Sequence, residues 1–236
     1  MAAERWMLQT KKADFHEMAR IHHITPVTAR IIRNRDIVGE EAVEKYLRGS
    51  LKDLYSPHLL KDMDLAVEIL KEKTEQGKRI RIVGDYDIDG VCSTYLLYKG
   101  LKRLGAAVDY EIPDRIKDGY GINIQIVEAA AEDNIDTILT CDNGISAIDQ
   151  MKRAREQGMT VIVTDHHDVP LDNETGQELL PPADAVVDLK RKDNMYPWRE
   201  LCGAAVAYRL IEALFEGREE SAFLDELLSM AAVATV

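Results

Sequence analysis

The spacing of apolar residues along the chain changes period near residue 79. Before it, apolar positions recur at helical intervals with no strand-like alternation. Thr25-Pro26 followed by Val27, Ile31 and Ile32 predicts a short helix with proline in its first turn. A second helical pattern runs from Gly39 through Tyr46 to Leu47. Ser56-Pro57 breaks the chain, and Met63, Ala66, Val67 and Leu70 resume the helical period. From Arg79 onward, short apolar runs at Ile80–Val83, Val108–Ile112, Thr137–Thr140, Thr160–Thr164 and Ala185–Val187 read as buried strands. Helical stretches near Val91–Leu104, Asn123–Glu132, Ala147–Gln157 and Leu201–Phe215 separate or follow them. Alternation of this kind predicts βαβ units with right-handed crossovers. The fold class is therefore α/β, a doubly wound, mainly parallel sheet preceded by N-terminal helices. Residues 1–78 are expected to form a helical cap and 79–236 the sheet domain.

Composition narrows the function. The 236 residues carry 42 acidic and 30 basic side chains, a formal charge of −12. That balance argues against coating nucleic acid by net charge alone, but leaves room for acids gathered around a metal. No apolar run is long enough to span a membrane, and the polar start MAAERWMLQTKKADF lacks a secretory core. Cys92, Cys141 and Cys202 are odd in number and far apart, which excludes a disulfide scaffold or zinc knuckle and predicts a cytoplasmic protein.

In an open parallel sheet, the site lies at the carboxyl ends of the strands. Four clusters fall there: Gly84-Asp85-Tyr86-Asp87-Ile88-Asp89-Gly90, Cys141-Asp142-Asn143-Gly144, Thr164-Asp165-His166-His167-Asp168, and Val187-Asp188. Carboxylates and imidazoles converging on one edge need a positive partner, and a divalent metal is the simplest. Oxygen and imidazole donors together suit Mn²⁺, with Mg²⁺, Zn²⁺ or Fe as alternatives. Asp89 reads equally as a helix N-cap. Asp85-x-Asp87-x-Asp89-Gly90 imitates a calcium loop, but Leu96 stands where that loop needs glutamate. Asp87-Ile88-Asp89-Gly90-Val91 also imitates the haloacid-dehalogenase phosphatases, with Asp87 as nucleophile. That reading leaves Asp85 and the histidine pair unexplained. His22-His23 reads as an ordinary surface or core pair.

Taken together, GDYDIDG, CDNG and VTDHH resemble the three ordered motifs of the DHH phosphoesterase superfamily, and most closely its RecJ branch of single-strand-specific 5′→3′ exonucleases. Arg115-x-x-x-Gly119-Tyr120-Gly121 and the segment from Tyr196-Pro197 to Ala207 resemble further RecJ segments. The resemblance implies metal-dependent phosphodiester hydrolysis of single-stranded DNA in repair and recombination, with one or two Mn²⁺ or Mg²⁺ ions. Asp87, Asp142 and His166 would hold one metal, and Asp85 with Asp142 a second. His167 would contact the scissile phosphate or its leaving oxygen, Asp165 would orient the histidines, and Arg115 and Tyr120 would bind substrate. Single-stranded DNA is the implied partner, alongside a single-strand-binding protein or helicase.

Two departures qualify that picture. Pyrophosphatase-like relatives have histidine where this chain has Arg81, which either contacts phosphate or is a solvated charge. A fourth aspartate would follow Ala234-Thr235-Val236, together with a second domain. The sequence is therefore expected to be a fragment that folds, binds Mn²⁺ weakly and is nearly inactive. Lys117 and the run Lys190-Arg191-Lys192 are further phosphate candidates, the run reading also as a solvated loop. The competing functions are a phosphodiesterase for short oligonucleotides or cyclic dinucleotides, and a non-catalytic DHH scaffold.

Overall fold

The computed structural model describes residues 7, 11–117 and 119–235. The polar stretch at residues 1–6 and Val236 of the segment before the expected fourth aspartate lie outside them. Contacts divide the chain into two compact units, Met1–Leu54 and Tyr55–Val236. Among the described residues, no helix is long and apolar enough to cross a membrane.

The first unit is three helices, α1 (Phe15–His22), α2 (Pro26–Asn34) and α3 (Glu40–Arg48), followed by a 3₁₀ turn at Leu51–Asp53. Each start has a local cause. The Asp14 carboxylate accepts from the His16 and Glu17 amides, Thr25 accepts from the Thr28 amide ahead of Pro26, and Gly39 enters α3 at φ +93°. Ala19, Ala29, Ile32 and Val43 are buried, while Val27 and Ile31 of the same helical pattern face outward. His22 is buried with Nδ1 3.2 Å from Glu44 Oε2, and His23 is an exposed left-handed cap.

The second unit starts with a 3₁₀ turn at Pro57–Leu59 and α4 (Met63–Glu75). The strands are β1 (Arg79–Val83), β2 (Ala107–Glu111), β3 (Thr137–Cys141), β4 (Thr160–Asp165) and β5 (Ala185–Asp188). They form one all-parallel sheet in the order β2-β1-β3-β4-β5. Helices α5 (Ile88–Arg103), α6 (Ile124–Glu132), α7 (Ile148–Glu156), α8 (Gly203–Leu214) and α9 (Ser221–Ala234) complete it.

Period-two alternation in the strands sends side chains to opposite faces. Ile80, Ile82, Leu139, Cys141, Ile162 and Val187 meet α4, α5, α8 and α9 in one apolar cluster. Val83, Ile138, Val161, Val163 and Val186 meet α6 and α7 in the other. Helix α4 thus packs with the sheet, and the contacts divide one helix earlier than the boundary expected at residue 78. The strand order places the switch point between β1 and β3, where the connections from β1 to β2 and from β3 to β4 lead in opposite directions along the sheet.

Contact between α5 and α8 depends on a glycine. A Cβ at Gly100 would fall 2.4 Å from Ile211 Cδ1 and 2.9 Å from its Cγ1. Alanine there gains roughly 0.5–1 kcal/mol of helix propensity but overpacks a buried interface at about 1–3 kcal/mol. Gly100→Ala should lower the urea midpoint, and Ile211→Ala in that background should recover part of the loss although it destabilises on its own. Strict additivity of the two changes would refute the close-approach explanation.

Candidate metal centre

The carboxyl edge of the sheet collects buried charge. Asp85, Asp142, Asp165 and Asp188 are each no more than 2% exposed. Asp85 follows β1, and its Oδ1 accepts from the Gly121 amide at 3.4 Å. Asp87 is the N-cap of α5, accepting from the Gly90 amide at 2.9 Å. Asp89 is therefore not that cap. Its two oxygens instead accept from the Gly203 and Ala204 amides, both at 2.7 Å, at the start of α8. That ties the first turns of α5 and α8 together.

Asp142 sits one residue beyond β3 at φ +59°, a left-handed conformation that aspartate tolerates better than most residues. Gly203 makes room for it. A Cβ at 203 would lie 2.7 Å from Asp142 Oδ1 and 2.8 Å from its Cβ. Asn143 fixes the turn, donating to Val83 O and Cys141 O and accepting from the Ile122 amide. One amide side chain thereby joins the ends of β1 and β3 to the Gly119–Ile122 loop. It sits inside the CDNG motif, where an Asn-Gly pair signals only a turn. Its bridging role depends on a strand order that local sequence does not reveal.

The histidines divide their partners. Nε2 of His166 lies 3.0 Å from Asp142 Oδ1 and 3.4 Å from Asp89 Oδ2. The first is an ion-pair contact, and Asp142 Oδ1 has no other polar partner. His167 Nδ1 lies 2.7 Å from Asp165 Oδ1, and its Nε2 lies 3.1 Å from the Tyr120 hydroxyl. That hydroxyl donates to Asp142 O. Asp165 also accepts from the His166, His167 and Ile145 amides. Its side chain thus holds the ring of His167, while it reaches His166 through the backbone only. Tyr86 and Tyr120 meet edge to face at 6.3 Å, and the Arg115 guanidinium lies 5.4 Å from the Tyr86 ring. Arg115 and Tyr120 therefore belong to one rim of the site.

Two basic candidates lie elsewhere in the bonding network. Arg81 is neither a solvated charge nor turned to the site. It pairs twice with Asp109 at 2.9 Å, with Asp133 at 2.9 Å and with Glu111 at 3.5 Å. Arg191 is buried on Asp62, Asp193 and Val186 O, clamping the loop after β5 to the start of α4. Lys190 pairs with Glu200, and Lys192 reaches Gly176 O. Their sequence run is a structural clamp with ordinary surface partners.

Two trios place ligand atoms within 4.8 Å of one another: Asp85 with Asp87 and Asp142, and Asp142 with His166 and His167. Atoms sharing one ion at 2.0–2.3 Å stand at most about 4.6 Å apart, so small shifts close either trio. Asp142 belongs to both. Asp87 and His166 fall in different trios, and the second takes His167 instead. Asp85 Oδ2, Asp142 Oδ1 and Asp188 Oδ2 are buried without hydrogen-bond partners. Unpartnered carboxylate oxygens are costly, and a hard divalent cation is the group that satisfies them. The donors present fit Mn²⁺ or Mg²⁺.

Burial shifts the titration of this edge. It pushes Asp142 up to about 6, against the His166 contact and with help from Asp89, and pushes Asp188 up to about 7. It also raises Asp85. Burial acts downward on His166, but Asp142 and Asp89 outweigh it. The Asp165 hydrogen bond raises His167 to about 9. A carboxyl with a raised folded value holds its proton more tightly when folded, so stability falls as pH climbs from about 4 to that value. Stability from His167 is present below about 6.5 and lost as pH rises through about 9.

All five shifts are upward, so their signs agree. The thermal midpoint of metal-free protein should fall between pH 4 and 9, and Asp188→Asn should flatten the part below pH 7. Added Mn²⁺ should raise the midpoint more at pH 8 than at pH 5, because the ligands must lose protons to bind it. Gly203→Ala should shrink that shift by displacing Asp142. A shift larger at pH 5, or unchanged in Gly203→Ala, would contradict this geometry.

Comparison with known proteins agrees with the fold and the edge. Residues 79–235 match the family model described as the DHH family, N-terminal domain. The single-stranded-DNA-specific exonuclease RecJ of Bacillus subtilis is 38% identical over 98% of this chain, and that of Escherichia coli K12 is 32% identical over 97%. Those matches take in 28% and 40% of the relatives' own lengths, so the chain spans well under half of either. A crystal structure of exonuclease RecJ bound to manganese superposes with TM-score 0.64 at 38% identity, over 75% of this chain and 43% of that one. RecJ from Thermus thermophilus in complex with Mn²⁺ gives 0.68 at 31% identity, over 94% and 30%. With its three motifs on one sheet edge and two-thirds of its length matching the family model, the chain belongs to the DHH family.

Proposed function

We propose that this chain carries the metal-dependent catalytic centre of a single-strand-specific 5′→3′ DNA exonuclease that hydrolyses phosphodiester bonds in repair and recombination. One observation carries the reading: buried carboxylate oxygens without hydrogen-bond partners converge with two histidines at the switch point of a parallel sheet. A non-catalytic scaffold gains nothing from that cost. The substrate follows from relatives named as RecJ exonucleases and solved with Mn²⁺ or Mg²⁺.

Asp85, Asp87, Asp142 and His166 would hold one or two such ions, with Asp142 common to both positions. The ions, when bound, supply charge neutralisation at phosphate and a lowered pKa for water. The chain's own groups do the rest. His167, positively charged at neutral pH in the metal-free protein, stands beside Asp142 where it can meet the scissile phosphate or its leaving oxygen. Asp165 fixes its ring, and Tyr120 holds the other nitrogen until substrate displaces it. Arg115 and Tyr120 line the approach for the strand. Unpaired Cys92, Cys141 and Cys202 fit a reducing cytoplasm, and a single-strand-binding protein or helicase would supply the strand.

Mn²⁺-dependent release of mononucleotides from the 5′ end of a labelled single strand is the expected activity. His167→Gln should cut turnover by about 10²–10⁴-fold while leaving Mn²⁺ affinity by calorimetry within a few fold. Asp142→Asn should lose both. Preference for di- and trinucleotides would favour the small-substrate reading, and Mn²⁺ binding intact in Asp142→Asn would refute the centre as described.

A further inference from the structure

Helix α5 packs one side into the core, where Cys92, Leu96, Leu97 and Leu101 are buried. Its other side is not polar. Ile88 is 64% exposed, Val91 42% and Tyr95 38%. Lys99 and Lys102 continue the row, and at 3.6 residues per turn these five positions fall within about 80° of arc. From Ile88 to Lys102 the row is roughly 21 Å long at 1.5 Å per residue. It starts at the candidate metal centre, because Asp87 caps the same helix. Single exposed apolar residues are ordinary, but a contiguous row that leaves a candidate active site marks a binding surface.

The cations of this row sit on rings. Lys99 Nζ lies 5.8 Å from the Tyr95 ring centre, and Lys102 Nζ lies 5.7 Å from that of Tyr98. Tyr98 meets Tyr110 of β2 edge to face at 5.3 Å, and Tyr110 is 56% exposed. Among the described residues neither lysine forms an ion pair, so both charges are open to an anion. The nearby acids are engaged elsewhere. Strand alternation puts Asp109 and Glu111 on the face opposite Tyr110, where Asp109 pairs with Arg79 and Arg81, and Glu111 with Arg81. Asp89 holds the first amides of α8, and Asp114 accepts from the Ile116 and Lys117 amides. Glu220 pairs with Arg103, and Asp87, at the head of the row, belongs to the metal centre.

We infer that this face of α5, together with Tyr110, is a track for single-stranded DNA leading away from the metal centre. Tyr95 and Tyr110 stack on unpaired bases, Ile88 and Val91 lie under the nucleotides nearest the centre, and Lys99 and Lys102 meet phosphates. Rings interleaved with cations bind single strands without sequence preference, because every base has a π-face. A row of about 21 Å accommodates about six nucleotides at the roughly 3.4 Å rise of a stacked strand. A duplex keeps its base faces stacked on one another and has none to offer the tyrosines. An apolar protein segment would cover two lysines without pairing them, so charge favours the polyanion. The track rests on the exonuclease reading for where the strand ends, not for its own affinity. It adds to that reading a set of contacts beyond Arg115 and Tyr120.

The test uses the whole chain in EDTA, where metal-dependent hydrolysis is off whatever the fate of the proposed activity. Anisotropy of a labelled oligothymidylate of about 12 nucleotides, at about 50 mM salt, should show micromolar binding. Tyr95→Ala, at an exposed position, should weaken it at least about five-fold with the thermal midpoint little changed. Lys99→Gln/Lys102→Gln should weaken it and flatten the log–log salt dependence by about 1.4, two phosphates at roughly 0.7 each. Lys71→Gln/Lys152→Gln, an equal charge change on α4 and α7, should leave affinity within about two-fold. Photo-cross-linking of a strand carrying 5-iodouracil to the unaltered chain should map to Tyr95 or Tyr110. The track is overturned by absence of binding at tens of micromolar, by a duplex of equal length binding as tightly, or by full affinity in Tyr95→Ala. Equal losses in the two lysine pairs, or cross-links confined to residues outside α5 and β2, would overturn it as well. Such a failure leaves the exonuclease reading to its own measurement, Mn²⁺-dependent cleavage and its loss in Asp142→Asn.

Discussion

Four aspartates buried at one sheet edge form the constraint around which the second unit is arranged. Water cannot solvate them, and among the described residues no lysine or arginine is paired with any of the four. The chain satisfies them piecemeal with backbone amides: Gly121 for Asp85, Ile145 with two histidine amides for Asp165, and Lys190 for Asp188. Asp85 Oδ2, Asp142 Oδ1 and Asp188 Oδ2 stay without hydrogen-bond partners, and burial raises the pKa of all three carboxyls. The same edge carries the two trios of ligand atoms that lie within 4.8 Å of one another. That geometry depends in turn on backbone. Asp142 reaches the crevice only through a left-handed turn, which Asn143 braces and Gly203 accommodates.

Asp89 shows how the edge is connected to the core. By accepting the first free amides of α8, its carboxylate satisfies a helix terminus that would otherwise need water, and its charge suits the positive end of that helix. The same carboxylate stands 3.4 Å from His166. Displacement of α8 would thus be felt at a metal-ligand candidate through this carboxylate. Packing along α5 and α8, where Gly100 admits Ile211, keeps this linkage short.

Much of this was legible in the sequence, because parallel strands buried on both faces are short apolar runs and their carboxyl ends are marked by the turn that follows. All five strands lie within a residue or two of the expected runs, and the acids and histidines fall at their ends. What local pattern could not supply was partnership across the sheet. Arg81 looks solvent-facing until β2 and the end of α6 bring Asp109 and Asp133 beside it. Arg191 sits in a basic run that reads as surface, and only tertiary contact places Asp62 against it. Asp89 has the position of a cap for its own helix and serves another instead. Helix α9, absent from the sequence expectation, lacks a side-chain cap or a strong polar face, and its identity rests on Leu227 and Ala231 packing into the core.

Helical spacing misled in a more instructive way at residues 27–32. Val27, Ile31 and Ile32 share a period that predicts one buried stripe, yet only Ile32 is inside. A small helical unit has too little interior to bury every apolar residue it carries, so some must remain on its surface.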